Sequence, residues 1–190
     1  MTKYPFSKLA DEGVALVIID MINDFKFEYG QVLAEKALKI ADPILILKKQ
    51  FKQQNLPVIY INDHYQLWQA NLPRLIAHCS NKQSDPILNM LAPQEDDYFL
   101  MKPKHSAFYN TSLETLLREL SIQTLVLTGI AGNICVLFTA NDAYMRGYQL
   151  IIPNDCIASN DYRDNEYALL MMKNVLKANI LTSKEMTDSS

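Results

Sequence analysis

The sequence predicts an α/β fold, a parallel sheet covered by helices on both faces. Two observations predict it. Short apolar runs alternate with amphipathic segments along the chain. The strongest run, Val14–Ile19, is apolar at every position, the pattern of a strand covered on both sides. The alternation itself implies right-handed βαβ crossovers, which put helices on the two faces of a parallel sheet.

The elements follow in order. After Val14–Ile19, the runs Pro57–Ile61, Thr124–Thr128 and Tyr148–Ile152 read as strands, and Tyr98–Met101 and Ala178–Thr182 are weaker candidates. Asp42–Pro43 predicts a helix start, because proline at the first helical position lacks an N–H that would be unpaired there. Ile44, Leu47 and Phe51 then recur at helical spacing. Asp85–Pro86 repeats the signal before Ile87, Leu88 and Leu91. Leu113, Leu116, Leu117 and Leu120 share one helix face. Asn133 to Arg146 predicts a helix ended near Gly147. Asn165 to Lys177 predicts another, with Ala168, Met171, Met172 and Val175 on one side.

Composition bounds the function. The 190 residues, 49% hydrophobic and 21% charged, fit a single domain spanning 1–190, with no linker and no repeat. A net charge of −3 offers no basic excess for nucleic acid or for an anionic membrane surface. The longest apolar runs fall short of the ~20 residues a membrane span needs. The five glycines form neither a dinucleotide fingerprint nor a phosphate loop, so no such cofactor is expected. The three cysteines (Cys79, Cys135, Cys156) contain no C-x-x-C, which argues against a zinc ribbon or a disulfide framework. Met1–Gly13 lacks an apolar core, so no signal peptide is expected, and the protein reads as reduced and cytoplasmic.

In open α/β sheets ligands bind beyond the carboxyl ends of the strands. Three stretches there carry reactive groups. Asp20 and Asp24 follow the first strand, in a segment that also reads as a plain turn with local side-chain caps. Lys102-Pro-Lys104 follows the strand near Tyr98, where a lysine is commonly a solvated charge. Gly129 to Val136 follows the Thr124–Thr128 strand and delivers Cys135 to the start of a helix. Unpaired N–H groups at such a start favour a thiolate and cradle an oxyanion, although a cysteine is as often a buried structural residue. Together, Asp24, Lys104 and Cys135 are expected to converge at one sheet edge as base, cation and nucleophile.

These stretches resemble the isochorismatase-like cysteine hydrolases, a superfamily that includes nicotinamidases and N-carbamoylsarcosine amidase. Val17-Ile-Ile-Asp20-Met-Ile-Asn-Asp24-Phe25 is similar to the family's D-M-Q-N-D-F. Lys102-Pro-Lys104-His-Ser-Ala-Phe108 is similar to its K-x-x-x-S-A-F, and Thr128 to Val136 to its G-x-x-T-x-x-C-V. Asp155-Cys-Ile-Ala-Ser159 resembles the segment after the next strand. The stretches come in family order and span almost the whole chain. The resemblance implies a three-layer α/β/α sandwich with a six-stranded parallel sheet, Rossmann-like in build. It implies an Asp–Lys–Cys triad, assigned to Asp24, Lys104 and Cys135, and a cis peptide at Ile130–Ala131 that turns the Ala131 and Cys135 N–H groups into an oxyanion hole. The implied reaction is cleavage of a C–N, amide-like bond of a small molecule through a thioester.

Departures narrow the expectation. Isochorismatases proper lack the cysteine, so Cys135 argues for C–N cleavage. Metal-binding nicotinamidases carry D-x-H and a further histidine, but here Tyr65 follows Asp63 and His64 where the first histidine belongs, and no other histidine comes before His78. No metal is therefore expected, and no cofactor. Gly132 replaces the family's usual threonine, which predicts a looser turn. Phe25, His64, Tyr65, Trp68 and Phe108 are candidates for a pocket around a small planar substrate, with Phe25 and Phe108 also readable as core and Trp68 equally as packing a helix or a subunit contact. Relatives are commonly dimers or tetramers, so a homo-oligomer is expected, with Tyr167–Met172 as a contact surface. The competing readings are a metal-assisted nicotinamidase-like deamidase and a ligand-binding relative that keeps the triad as a relic.

Overall fold

In the computed structural model, which describes residues 12–69 and 71–187, Val14–Ile19 forms strand β1 and all its residues are buried. Side chains alternate across it, as the period of a strand requires. Val14, Leu16 and Ile18 join one hydrophobic core, and Ala15, Val17 and Ile19 join the other. The expectation of no leader rests on Met1–Gly13, of which residues 1–11 lie outside the described residues.

The remaining strands are β2 (Val58–Asp63), β3 (Tyr98–Lys102), β4 (Thr124–Ile130), β5 (Gln149–Pro153), β6 (Ile157–Ala158) and β7 (Asn179–Leu181). Every pairing is parallel, in the spatial order β3-β2-β1-β4-β5-β7. These six strands are the expected sheet. The two-residue β6 adds a seventh, pairing with the last residues of β4 past the point where β5 diverges.

Helices α1 (Gly30–Gln53), α3 (Asp85–Leu91) and α7 (Ser183–Thr187) cover one face. Helices α4 (Leu113–Glu119), α5 (Leu137–Met145) and α6 (Tyr162–Asn174) cover the other. Helix α2 (Leu72–Cys79) packs Leu75 and Cys79 on Ile22 and Leu88 in a small third cluster. The architecture is the three-layer α/β/α sandwich. Among the described residues, no helix is long and apolar enough to cross a membrane.

Three elements differ from expectation. Helix α1 starts at Gly30 rather than Asp42 and carries Pro43 in its interior. An interior proline costs about 3 kcal/mol. The helix persists because Leu33, Ile40, Ile44, Leu47 and Phe51 are all buried on one stripe, each contributing about 1.5–3 kcal/mol. The segment after Gly132 is not a simple α-helix: Gly132–Val136 makes one wide π turn before α5. On α6 the buried stripe is Ala168, Leu169 and Met172, while Tyr167, Leu170, Met171 and Val175 are at least half exposed.

Candidate active site

The strand order reverses between β1 and β4, and the carboxyl ends of β1 to β4 meet there, at the position where such sheets bind ligands. Asp20 is the first residue after β1. It is in the left-handed region (φ 54°) and only 5% exposed. Its N–H donates to the Ile61 carbonyl at 2.9 Å, so the sheet ladder itself holds the residue. One carboxylate oxygen accepts the Asp63 N–H at 2.8 Å, and the other lies 2.7 Å from the Lys102 Nζ. Beyond it the chain is clamped by Asn62, whose amide accepts from the Ile22 N–H and donates to the Ile22 carbonyl.

Lys102 is the last residue of β3, in register with Asp63 and 2% exposed. An ammonium this deeply buried needs partners to offset its desolvation. It has two, the Asp20 carboxylate and the Cys135 Sγ, to which Nζ donates at 3.5 Å.

Cys135 sits in the π turn between β4 and α5. The approach to that turn demands glycine at 129, where φ is +111° and a Cβ would run into the Ile19 backbone. The Ile130–Ala131 peptide is cis, as expected. The Ile134 and Val136 N–H groups both donate to the Ala131 carbonyl at 3.1 Å and close the turn. At Gly132 the turn is also held from outside. The Asn133 N–H donates to the Ser159 Oγ at 3.0 Å, and Asn165 fills the space a side chain at 132 would take.

The charge balance corrects one expectation. A helix start was expected to favour thiolate, but burial, and then the Asp20 carboxylate, push the Cys135 thiol up to about 12 against the opposing pull of Lys102. Lys102 is drawn down by burial and raised more strongly by Asp20 and Cys135, so it stays an ammonium. The site therefore rests as thiol and ammonium, with the proton on sulfur beside the Asp20 side chain.

Two members of the expected triad are corrected. Asp24 lies four residues out on the loop, its side chain capping the Lys26 N–H at 3.0 Å and its carbonyl accepting from Asn81. Lys104 is exposed in the bend after β3. Asp20 and Lys102 take their places beside Cys135. The reason is mechanical: a residue at a strand end is positioned by the ladder, whereas one two to four residues further on is carried away by the loop. The signal was present in the sequence, since Asp20 directly follows Ile19 and Pro103 stops the strand at Lys102.

The pocket candidates divide. Phe25 is buried in the core beneath α1. Phe108 is buried in the opposite core, against Tyr148 and under the Arg146 guanidinium. Both are packing residues. Tyr65 turns inward against the small third cluster, with its ring tilted against His78. His64 and Trp68 remain accessible, with rings stacked 4.1 Å apart and Trp68 73% exposed. His64 directly follows Asp63, the residue in register with Lys102.

The donor set there does not fit a metal ion. The Asp63 carboxylate caps the Tyr65 N–H, the His64 Nδ1 accepts the Gln66 N–H, and the Tyr65 phenol is held protonated by burial. Among the described residues no three His, Cys, Asp or Glu side chains gather as a metal site.

The chain matches the family profile described as Isochorismatase domain over residues 14–185. It is 56% identical over 174 residues to an uncharacterized isochorismatase family protein, YaaI, of Bacillus subtilis (strain 168), covering 92% of this chain and 96% of that one. The crystal structure of the nicotinamidase/pyrazinamidase PncA from Bacillus subtilis superposes with a TM-score of 0.70 at 31% identity, covering 89% of this chain and 99% of that one. N-carbamoylsarcosine amidase from Thermoplasma acidophilum superposes with a TM-score of 0.67 at 30% identity, covering 90% and 96%. On its sequence, its sheet and its relatives, the chain belongs to the isochorismatase family and is a hydrolase of that family.

Proposed function

We propose that the protein is a cysteine amidohydrolase that cleaves a C–N bond of a small molecule, with Cys135 as nucleophile, Asp20 as proton acceptor and Lys102 as the fixed cation. The observation that carries this reading is the Asp20–Lys102–Cys135 contact, 2.7 and 3.5 Å, at the carboxyl edge of the sheet. Two structural relatives, a nicotinamidase and N-carbamoylsarcosine amidase, are named for cleavage of such bonds.

The steps balance on these groups. Asp20 takes the thiol proton as the Cys135 Sγ forms a bond to the substrate carbonyl carbon. The Ala131 and Cys135 N–H groups face the carbonyl oxygen as it gains charge, and Lys102 keeps the Asp20 and sulfur charges compatible. As the tetrahedral centre collapses, the C–N bond breaks and the leaving amine takes the proton from Asp20. A thioester remains. Water then attacks it, giving its proton to Asp20, and the C–S bond breaks. The acid leaves and the proton returns to sulfur.

The test is a panel of small amides, including nicotinamide and an N-carbamoyl amino acid, assayed with the parent and with Cys135→Ala. Turnover lost in Cys135→Ala, with an acyl adduct on Cys135 in the parent by mass spectrometry, supports the reading. Turnover that survives Cys135→Ala, or that collapses on chelation and returns with added metal, overturns it.

A further inference from the structure

The turn that carries Cys135 is anchored by its own Val136, buried in the core, and by the Asn133 amide, which donates to the Asp164 carboxylate at 3.5 Å. Its first residue is Gly132, and none of Gly132, Asn133 or Ile134 places a hydroxyl inside the turn. A further tie comes from the segment after β6. Ser159 is 1% exposed, and its Oγ accepts the Asn133 N–H at 3.0 Å. The Ser159 O–H in turn donates to the Asn165 Oδ1, at the start of α6, at 2.8 Å. The same Asn165 oxygen occupies the volume into which a Cβ at 132 would project, and the Ser159 Oγ is the next atom such a Cβ would meet, at 3.1 Å. The segment is itself tied down: the Lys36 Nζ on α1 donates to the carbonyls of Ser159 at 3.0 Å and Asn160 at 2.5 Å. A buried serine with both its acceptor and its donor function used, one of them on the nucleophile turn, transmits the position of α1 and α6 to that turn.

We propose that Ser159 is a positioning residue for the hydrolytic site, which with Asn165 sets the direction of the turn's backbone N–H groups that receive the developing oxyanion. Asn165 and Gly132 form a matched pair, one supplying the volume the other gives up. The inference rests on the reading of Cys135 as nucleophile. It predicts a separation of two reactions of the same thiol. Acylation passes through an oxyanion and depends on those N–H groups. Alkylation by iodoacetamide displaces iodide at an sp³ carbon, develops no oxyanion, and depends only on the thiolate and its access.

The experiment uses the full chain and two probes. p-Nitrophenyl acetate acetylates the thiol with release of p-nitrophenolate, followed by absorbance, and the acetyl group is located by mass spectrometry. Iodoacetamide alkylates it, followed by mass. Ser159→Ala is expected to slow acetylation of Cys135 by about 10- to 100-fold, below the loss from deleting an oxyanion donor outright. Alkylation is expected to stay within about twofold, since the groups that set the thiolate fraction are untouched. Asn165→Ala, which frees the Ser159 hydroxyl to rotate, is expected to slow acetylation by a smaller factor with alkylation again unchanged. It also serves if Ser159→Ala does not accumulate. Acetylation at the parent rate in these variants, or an equal fall in both reactions, overturns the positioning role. An acetyl group found away from Cys135 in the parent overturns instead the nucleophile reading on which it rests.

Discussion

Replacing Asp20 with asparagine is expected to make Cys135 more reactive and the protein less active. Asparagine keeps an oxygen to accept the Asp63 N–H, removes the charge, and turns an amide NH2 toward Lys102 where an acceptor stood. Asp20 is, after burial, the largest influence holding the thiol near 12, so at pH 8 the parent carries about one thiolate in ten thousand. A charge in contact moves a pKa by about 1–3 units, and its loss leaves Lys102 to favour the thiolate. The thiolate fraction then rises about 10- to 1000-fold, while its intrinsic nucleophilicity falls with a Brønsted slope of about 0.5, leaving a net gain of about 3- to 30-fold in alkylation. Hydrolysis should fall by about 10²- to 10⁴-fold, because no group remains to carry the proton to the leaving amine. The assay is iodoacetamide labelling at pH 8 with peptide mass mapping, beside hydrolysis of whichever amide the parent turns over. Cys79 and Cys156 are fully buried and should stay unlabelled. In the parent, labelling should climb tenfold per pH unit from pH 7 to 10 with no plateau, since a raised thiol pKa leaves the thiol as the main form throughout that range. An Asp20→Asn variant that labels no faster, or that hydrolyses like the parent, refutes the charge argument.

The other predictions use the same geometry. Lys102→Ala leaves the Asp20 carboxylate buried without its cation and should cost about 3–5 kcal/mol in urea unfolding as well as activity. Lys104→Ala, at an exposed position, should change stability by less than about 0.5 kcal/mol and leave turnover at the parent level, and loss of activity there would restore the lysine expected from the sequence. Gly129→Ala forces a side chain at φ +111° into the Ile19 backbone and should lower stability by more than about 3 kcal/mol, read as a loss of soluble yield and of the thermal midpoint. Just before β3 the Asp97 side chain is fully buried and 2.7 Å from Lys48, itself bonded to the Tyr60 hydroxyl. Asp97→Ala should therefore cost about 3–5 kcal/mol, against about 1 kcal/mol or less for the more exposed Lys52→Ala.

The fold was legible because it depends on local pattern. The apolar run Val14–Ile19 permits only a doubly covered strand, and the alternation of strands with helices leaves few topologies. The proposed nucleophile, Cys135, was legible for a related reason, since the glycines at 129 and 132 bracket a turn that delivers a cysteine to a helix start. Helix α1 was not legible at its start, because Asp42–Pro43 is a strong local signal and only the buried stripe on both sides of Pro43 overrides it. The partners of Cys135 were misread for a similar reason: Asp20 and Asp24, like Lys102 and Lys104, differ by a few residues of loop that sequence spacing does not resolve.

The sequence by itself determined the class of sheet, the edge at which the chemistry gathers, and the residue that carries the sulfur. Each of these follows from hydrophobic period and turn chemistry within a dozen residues. Only the tertiary structure decided which carboxylate and which lysine stand beside that sulfur, that its proton stays on it at rest, and that Ser159 and Asn165 brace its turn. Those are contacts between strand ends and loops far apart in the chain. Their energies depend on burial and on distances of a few ångströms, which exist only once the sheet has brought β1, β3 and β4 to a common edge.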